Sequence, residues 1–139
     1  MSQPKRVIMV SGRYRHWLPT GEFDREAMER EQEDEQFWAD FIVDLGFACI
    51  PLIWTFRRVE GIIGDEEVIK MTTGLIRRRR PNYDHLMMRE GWDVEPISQG
   101  SMAEYKAAEE TGVRVCYNMH GADTLAEYFQ GLREEVTAQ

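Results

Sequence analysis

Within the stretch Gly91 to Glu104, four residues have the types and spacing to serve one ligand: Ser98, Gly100, Ser101 and Glu104. The apolar run Asp84 to Met88 before it predicts a strand, and Met102 to Thr111 predict a helix. The stretch is then a loop at the carboxyl end of a strand, running into a helix N-terminus. Unpaired N–H groups and the helix dipole favour anions at that place, and open α/β sheets seat their ligands there. Ser98, Gly100 and Glu104 would face such a ligand from one turn. The same residues also admit a structural reading, because Ser101 followed by Glu104 fits a capping box, each side chain serving the other's backbone amide.

Two further places carry residues of the right kind. Gly12-Arg13-Tyr14-Arg15-His16-Trp17 follows the apolar run Arg6 to Ser11 and forms the first strand-to-helix loop, where Gly12 lets the backbone approach a ligand closely. Arg13 and Arg15 are there either anion ligands or solvated loop cations. Asp65 opens a helix that runs to Arg79 and is ended by Pro81. Taken alone, Asp65 reads as an N-cap. The loop Asn118-Met119-His120-Gly121 follows the last predicted strand.

Strand, Gly91-Trp92, Ser98-x-Gly100-x-x-x-Glu104 and an Ala-containing helix ending in Thr111-Gly112 resemble the nucleoside 2-deoxyribosyltransferase-like superfamily, which also holds the nucleoside 5′-monophosphate N-glycosidases. The resemblance implies that Glu104 is the nucleophile attacking the anomeric carbon, and that Asp65 contacts the sugar hydroxyls and supports it. The first loop resembles the superfamily's strand-x-Gly-x-x-Arg, which puts Arg15 where the monophosphate-cleaving branch has an arginine near the phosphate. At the position of Ser98 the transferase branch typically carries a carboxylate, so this chain stands nearer the monophosphate branch. The resemblance further implies a homodimer or higher homo-oligomer, each site completed from a neighbour by the 118–121 loop, with Asn118, or by the carboxyl-terminal helix. The chain departs from the pattern at Arg13, which replaces a small or hydroxyl residue, in the longer segment Asp93 to Ile97, and in a long acidic helix.

Composition bounds these readings. A chain of 139 residues with 42% hydrophobic residues buries one ordinary core, and a single domain over 1–139 is expected. The net charge of −8 argues against a nucleic-acid partner. A small anionic nucleoside or nucleotide held by a few local arginines is compatible with it. Met1 to Arg6 is polar and lacks the apolar core of a signal peptide, and no run approaches the ~20 apolar residues of a membrane span. Cys49 and Cys116 show neither CxxC nor metal spacing and read as reduced core thiols of a cytoplasmic protein. No metal or cofactor is expected. There is no GxxxxGK[ST] loop, and the first loop lacks GxGxxG.

The elements that must position these residues alternate strand and helix. Asp24 to Leu45 predicts one long helix, its crowded acids (Glu22 to Glu35) read as a solvated face and Phe37, Trp38, Phe41, Ile42 and Leu45 as a packed one. Phe47 to Pro51 is the second strand and Val113 to Tyr117 the fourth, with Asp123 to Val136 as a last amphipathic helix. Leu52 to Gly64 is the least legible part, where Trp54, Phe56, Arg57 and Arg58 suit either a base-stacking wall or a structural lid. Arg77 to Arg80 reads as the solvated, cation-rich end of a helix. The alternation predicts a doubly wound parallel sheet of four to five strands, flavodoxin- or Rossmann-like, with helices on both faces.

Overall fold

The computed structural model describes residues 4–137, so the start of the polar amino-terminal stretch, residues 1–3, lies outside the described residues. The elements are β1 (Val7–Ser11), α1 (Arg25–Asp44), β2 (Ala48–Pro51), α2 (Leu52–Arg57), α3 (Asp65–Arg77), β3 (His85–Met88), α4 (Gln99–Thr111), β4 (Arg114–Tyr117) and α5 (Ala122–Thr137). All four strands run parallel in one sheet, in the order β2-β1-β3-β4. This is the doubly wound α/β architecture that the alternation predicts.

Side chains alternate across each strand, and this assigns the helices to faces. Ile8, Val10, Met87 and Cys116 pack with Trp38 and Ile42 of α1 and with Leu125, Phe129 and Leu132 of α5. Met9, Leu86 and Met88 turn the other way, onto Ile76 of α3, Leu52 of α2 and Ala107 and Ala108 of α4. The central strands β1 and β3 are largely buried and mostly apolar, which makes them legible as strands despite their shortness, whereas β2 and β4 are only half-buried. Among the described residues no helix is long and apolar enough to cross a membrane.

From β1 the chain crosses to β2 on one side, and from β3 to β4 on the other. The crevice between the carboxyl ends of β1 and β3 is therefore the topological switch point of the sheet. The first loop and the 91–98 loop both rise from it.

Three details differ from the expected elements. The region from Leu52 contains a short helix, α2, whose first turn takes up the carboxylate of Glu35: Oε2 accepts from Ile53 N–H at 2.8 Å and Oε1 from Trp54 N–H at 3.1 Å. Helix α4 starts at Gln99 rather than Met102, and Ser98 is its cap, accepting from Ser101 N–H at 3.3 Å. The Ser-x-x pair that caps this helix is thus Ser98 and Ser101, and Glu104, one turn further on, is free of the capping box. The acidic part of α1 is only partly a solvated face, since Glu35 is 1% exposed and Glu31 and Asp34 bind a buried arginine, Arg89.

Candidate functional site

A cleft of about 480 Å³ opens at the switch point. Its lining brings together Gly12, Arg13, Arg15, Asp65, Ser98, Gly100, Ser101 and Glu104, from four separate parts of the chain. Asn118 does not join them. It is buried after β4, with Oδ1 accepting from Glu90 N–H at 2.6 Å.

Glu104 forms the floor. Helix α4 packs on β3 and β4, and spacings of three and four residues turn Ser101, Glu104 and Ala108 to the same side. The Glu104 carboxyl accepts from Ser11 Oγ, at the end of β1, at 2.5 Å. Burial raises the pKa of Glu104 above the ordinary carboxylate range, and the hydroxyls of Ser11 and Thr72 pull the other way. Its 8% residual exposure is on the cleft. A carboxyl held by hydroxyl donors at the bottom of a pocket is suited, when ionised, to meeting a centre that becomes positive.

The α4 N-terminus forms one wall. Ser98 Oγ takes the Ser101 N–H, while the first-turn N–H groups of Gln99 and Gly100 have no acceptor within the helix. Ser101 Oγ is buried without a hydrogen-bond partner and lines the cleft. Adding a Cβ at Gly100 would bring it no nearer than 3.8 Å to Ser98 Oγ, so this glycine leaves the wall open rather than relieving a clash.

Opposite stands the first loop. Arg15 Nη1 pairs with Asp65 Oδ2 at 2.8 Å, and the guanidinium lies over the rings of Phe23 and Phe56 at 4.9 and 5.2 Å. Asp65 is the first residue of α3, whose cap position is Gly64, so its side chain is directed to Arg15 rather than to capping. Arg13 has a different job: it donates to Val94 O at 2.7 Å and to Pro96 O, tying the first loop to the 91–98 loop. The two arginines of the loop thus divide into one that braces and one that faces the cleft mouth.

Several lining residues carried no signal in the sequence. Tyr14 is buried and meets Phe56 edge to face at 5.6 Å, and with Leu52, Ile53, Val68 and Ile69 they make an apolar wall. Phe56 belongs to this wall, whereas Trp54 is 43% exposed and stacks with Arg58 outside it. Neither Ser11, at the end of β1, nor Thr72, inside α3, stands out in the sequence, and the Ser11 contact with Glu104 across 93 residues leaves no local pattern.

Of the basic run, Arg77 pairs with Glu110 and Arg80 with the buried Asp84, which also accepts from Val7 N–H and so ties the start of β1 to that of β3. Among the described residues no group of three or more His, Cys, Asp or Glu is placed to hold a metal ion. Cys49 and Cys116 are free thiols, both pushed up to about 12 by burial, which keeps them protonated and unreactive at neutral pH.

No family model, curated protein or solved structure matches this chain.

Proposed function

We propose that this protein hydrolyses the N-glycosidic bond of a nucleoside 5′-monophosphate, with Glu104 as nucleophile. The observation that carries the reading is the position of Glu104: a buried carboxyl, hydroxyl-bonded, at the floor of a cleft whose one wall is a helix N-terminus and whose other is apolar and aromatic. The resemblance of Ser98-x-Gly100-x-x-x-Glu104, Asp65 and Gly12-x-x-Arg15 to the nucleotide N-glycosidases points the same way.

The chemistry follows from what the bond requires. As the base departs with the bonding electron pair, positive charge builds on the anomeric carbon, and a carboxylate beneath it stabilises or traps that charge. A Glu104 oxygen forms the ester bond, the base takes up a proton, and water then cleaves the ester to return the carboxylate and the free sugar phosphate. Asp65 at the mouth is placed to hold sugar hydroxyls. The phosphate goes to the first-turn N–H groups of α4, the Ser98 hydroxyl and Arg15, all donors and none a carboxylate. The base lies along Tyr14 and Phe56. No cofactor takes part.

The reading includes a homo-oligomer, in which the loop carrying Asn118 and the 56%-exposed Met119, or α5, completes a neighbouring copy's cleft. Light scattering at micromolar concentration tests this part, and a fully active monomer overturns it.

The deciding experiment incubates the protein with matched nucleosides and 5′-monophosphates and measures free base by chromatography. Base release from monophosphates, lost in Glu104→Gln, is the expected result. Release with equal efficiency from a nucleoside and its monophosphate removes the phosphate part of the reading. Exchange of one base for another, without net hydrolysis, makes the protein a transferase. Binding without any release makes it a nucleotide-binding module.

A further inference from the structure

The acidic part of α1 has no role in the chemistry proposed above, and neither has Arg89, yet they meet beneath the first loop. Arg89 follows directly on β3 and is 1% exposed. Its Nη1 donates to Glu31 Oε1 at 3.1 Å and to Asp34 Oδ2 at 2.9 Å, and its Nη2 donates to the carbonyl oxygen of Arg13 at 2.7 Å. The Arg89 backbone N–H donates to Ser11 O at 2.8 Å, which sets the guanidinium directly under the start of the loop. A Cβ placed on Gly12 would lie 2.9 Å from both Nε and Nη2, so the loop rests on the guanidinium with no room between them. Glu31 reaches the loop a second time, at His16 Nε2, at 2.7 Å.

A fully buried guanidinium is costly to desolvate unless its partners are complete. Here two carboxylates supply the charge and a loop carbonyl takes Nη2, while Nε is buried without a hydrogen-bond partner. The carbonyl is an uncharged partner that adds nothing to neutralisation, and it lies two residues before Arg15. Arg89 does not itself line the cleft.

We propose that Arg89 is a positioning residue: its buried guanidinium, gripped by Glu31 and Asp34, fixes the Gly12-to-Arg15 turn, so that Arg15 is held at the cleft mouth for an anionic group of the substrate. The inference rests on the monophosphate reading given above. Lysine keeps the charge but lacks the planar fork that reaches two carboxylates and a carbonyl together. Arg89→Lys therefore loosens the turn, whereas Glu104 and Ser11, held by α4 and β1, stay in place.

The test combines loop dynamics with kinetics on Arg89→Lys. Amide order parameters at Gly12 to His16 are expected to fall from the rigid range to below about 0.6 while those of β1 and β3 remain high. KM for a 5′-monophosphate is expected to rise about tenfold with kcat within a factor of about three, and KM for the matching nucleoside to stay unmoved. Asp34→Asn, which alters the 47%-exposed member of the clamp, gives the same pattern more weakly and serves where Arg89→Lys does not fold. Unchanged order parameters in the loop, or a fall in kcat with KM unmoved, would overturn the proposal. If the unmodified protein releases no base from any substrate, the chemical reading fails, and the order parameters alone still decide whether Arg89 holds the loop.

Discussion

Two buried glutamates, one at the floor of the cleft and one at the junction of α1 and α2, are alike in burial and different in setting. Glu104 is 8% exposed, Glu35 is 1% exposed, and burial raises both carboxyls above the ordinary range, Glu35 to about 7. The difference lies in their partners and access. Glu35 is bonded by the backbone N–H groups of Ile53 and Trp54 and does not line the cleft; it builds the start of α2, whose Leu52, Ile53 and Phe56 do. Glu104 is bonded by side-chain hydroxyls that can turn, and its remaining surface meets the cleft. A raised pKa is thus no mark of catalysis by itself; donors that can rearrange, and an open face, are what set the carboxyl proposed to react apart from the structural one.

The comparison is broken or sharpened most strongly by exchanging each carboxyl for its amide. Glu104→Gln should lower base release at least about a thousandfold, or about 4 kcal/mol of barrier, with the protein still folded, because the amide oxygen still accepts from Ser11. In the unmodified protein the acid limb of the pH profile should lie above 4.5, since Glu104 must be ionised to act as the proposed nucleophile and burial favours its protonated form. Normal turnover in Glu104→Gln, with only a lowered melting temperature, would return Glu104 to a structural role.

Glu35 should show itself in stability instead. Its folded-state pKa of about 7 lies above the unfolded value of 4.5, so the folded state is favoured below pH 4.5 and loses that advantage as pH rises through 7. The loss amounts to about 3 kcal/mol at 1.36 kcal/mol for each tenfold change in proton affinity. Chemical denaturation of Glu35→Gln at pH 4.5 and pH 8 should lack this decline. An identical pH dependence in variant and unmodified protein would show that Glu35 is not strained by burial.

Smaller effects belong to the α4 wall. Ser98→Asp puts a carboxylate beside the phosphate position and should reverse or erase a preference for 5′-monophosphates, read as the ratio of kcat/KM on a nucleotide and its nucleoside. Ser101→Ala should lower kcat/KM about tenfold while leaving the melting temperature unchanged or raised, since it removes a hydroxyl that has no partner within the protein. A lowered melting temperature with unaltered kinetics would assign that hydroxyl to the fold.

The contrast between the glutamates also marks how far the sequence could be read. The parallel sheet was legible because short, mainly apolar runs alternate with helical periods, and the switch point then located the cleft. Glu104 and Ser98 stood out through local spacing, although the cap was read three residues late, at Ser101 rather than Ser98, since both serines fit the pattern. Glu35 was hidden in a run of acids where composition suggests only a solvated face. Helix α2 was hidden too, because six residues mixing aromatic, β-branched and basic side chains carry no period. Arg89 gave no signal at all; its partners Glu31 and Asp34 are 58 and 55 residues away and belong to that same acidic run.

One pair at the mouth of the cleft sets how its parts communicate. Arg15 and Asp65 already hold each other at 2.8 Å, on side chains 25% and 62% exposed. A ligand does not recruit two free charges there; it exchanges their partnership. In the proposed function, an anion that takes Arg15 releases Asp65 and hydroxyls that take Asp65 release Arg15, so each event would ease the other and couple the two proposed subsites. A molecule carrying both groups on one frame gains from that coupling in a single encounter, where separate fragments must each break the pair alone.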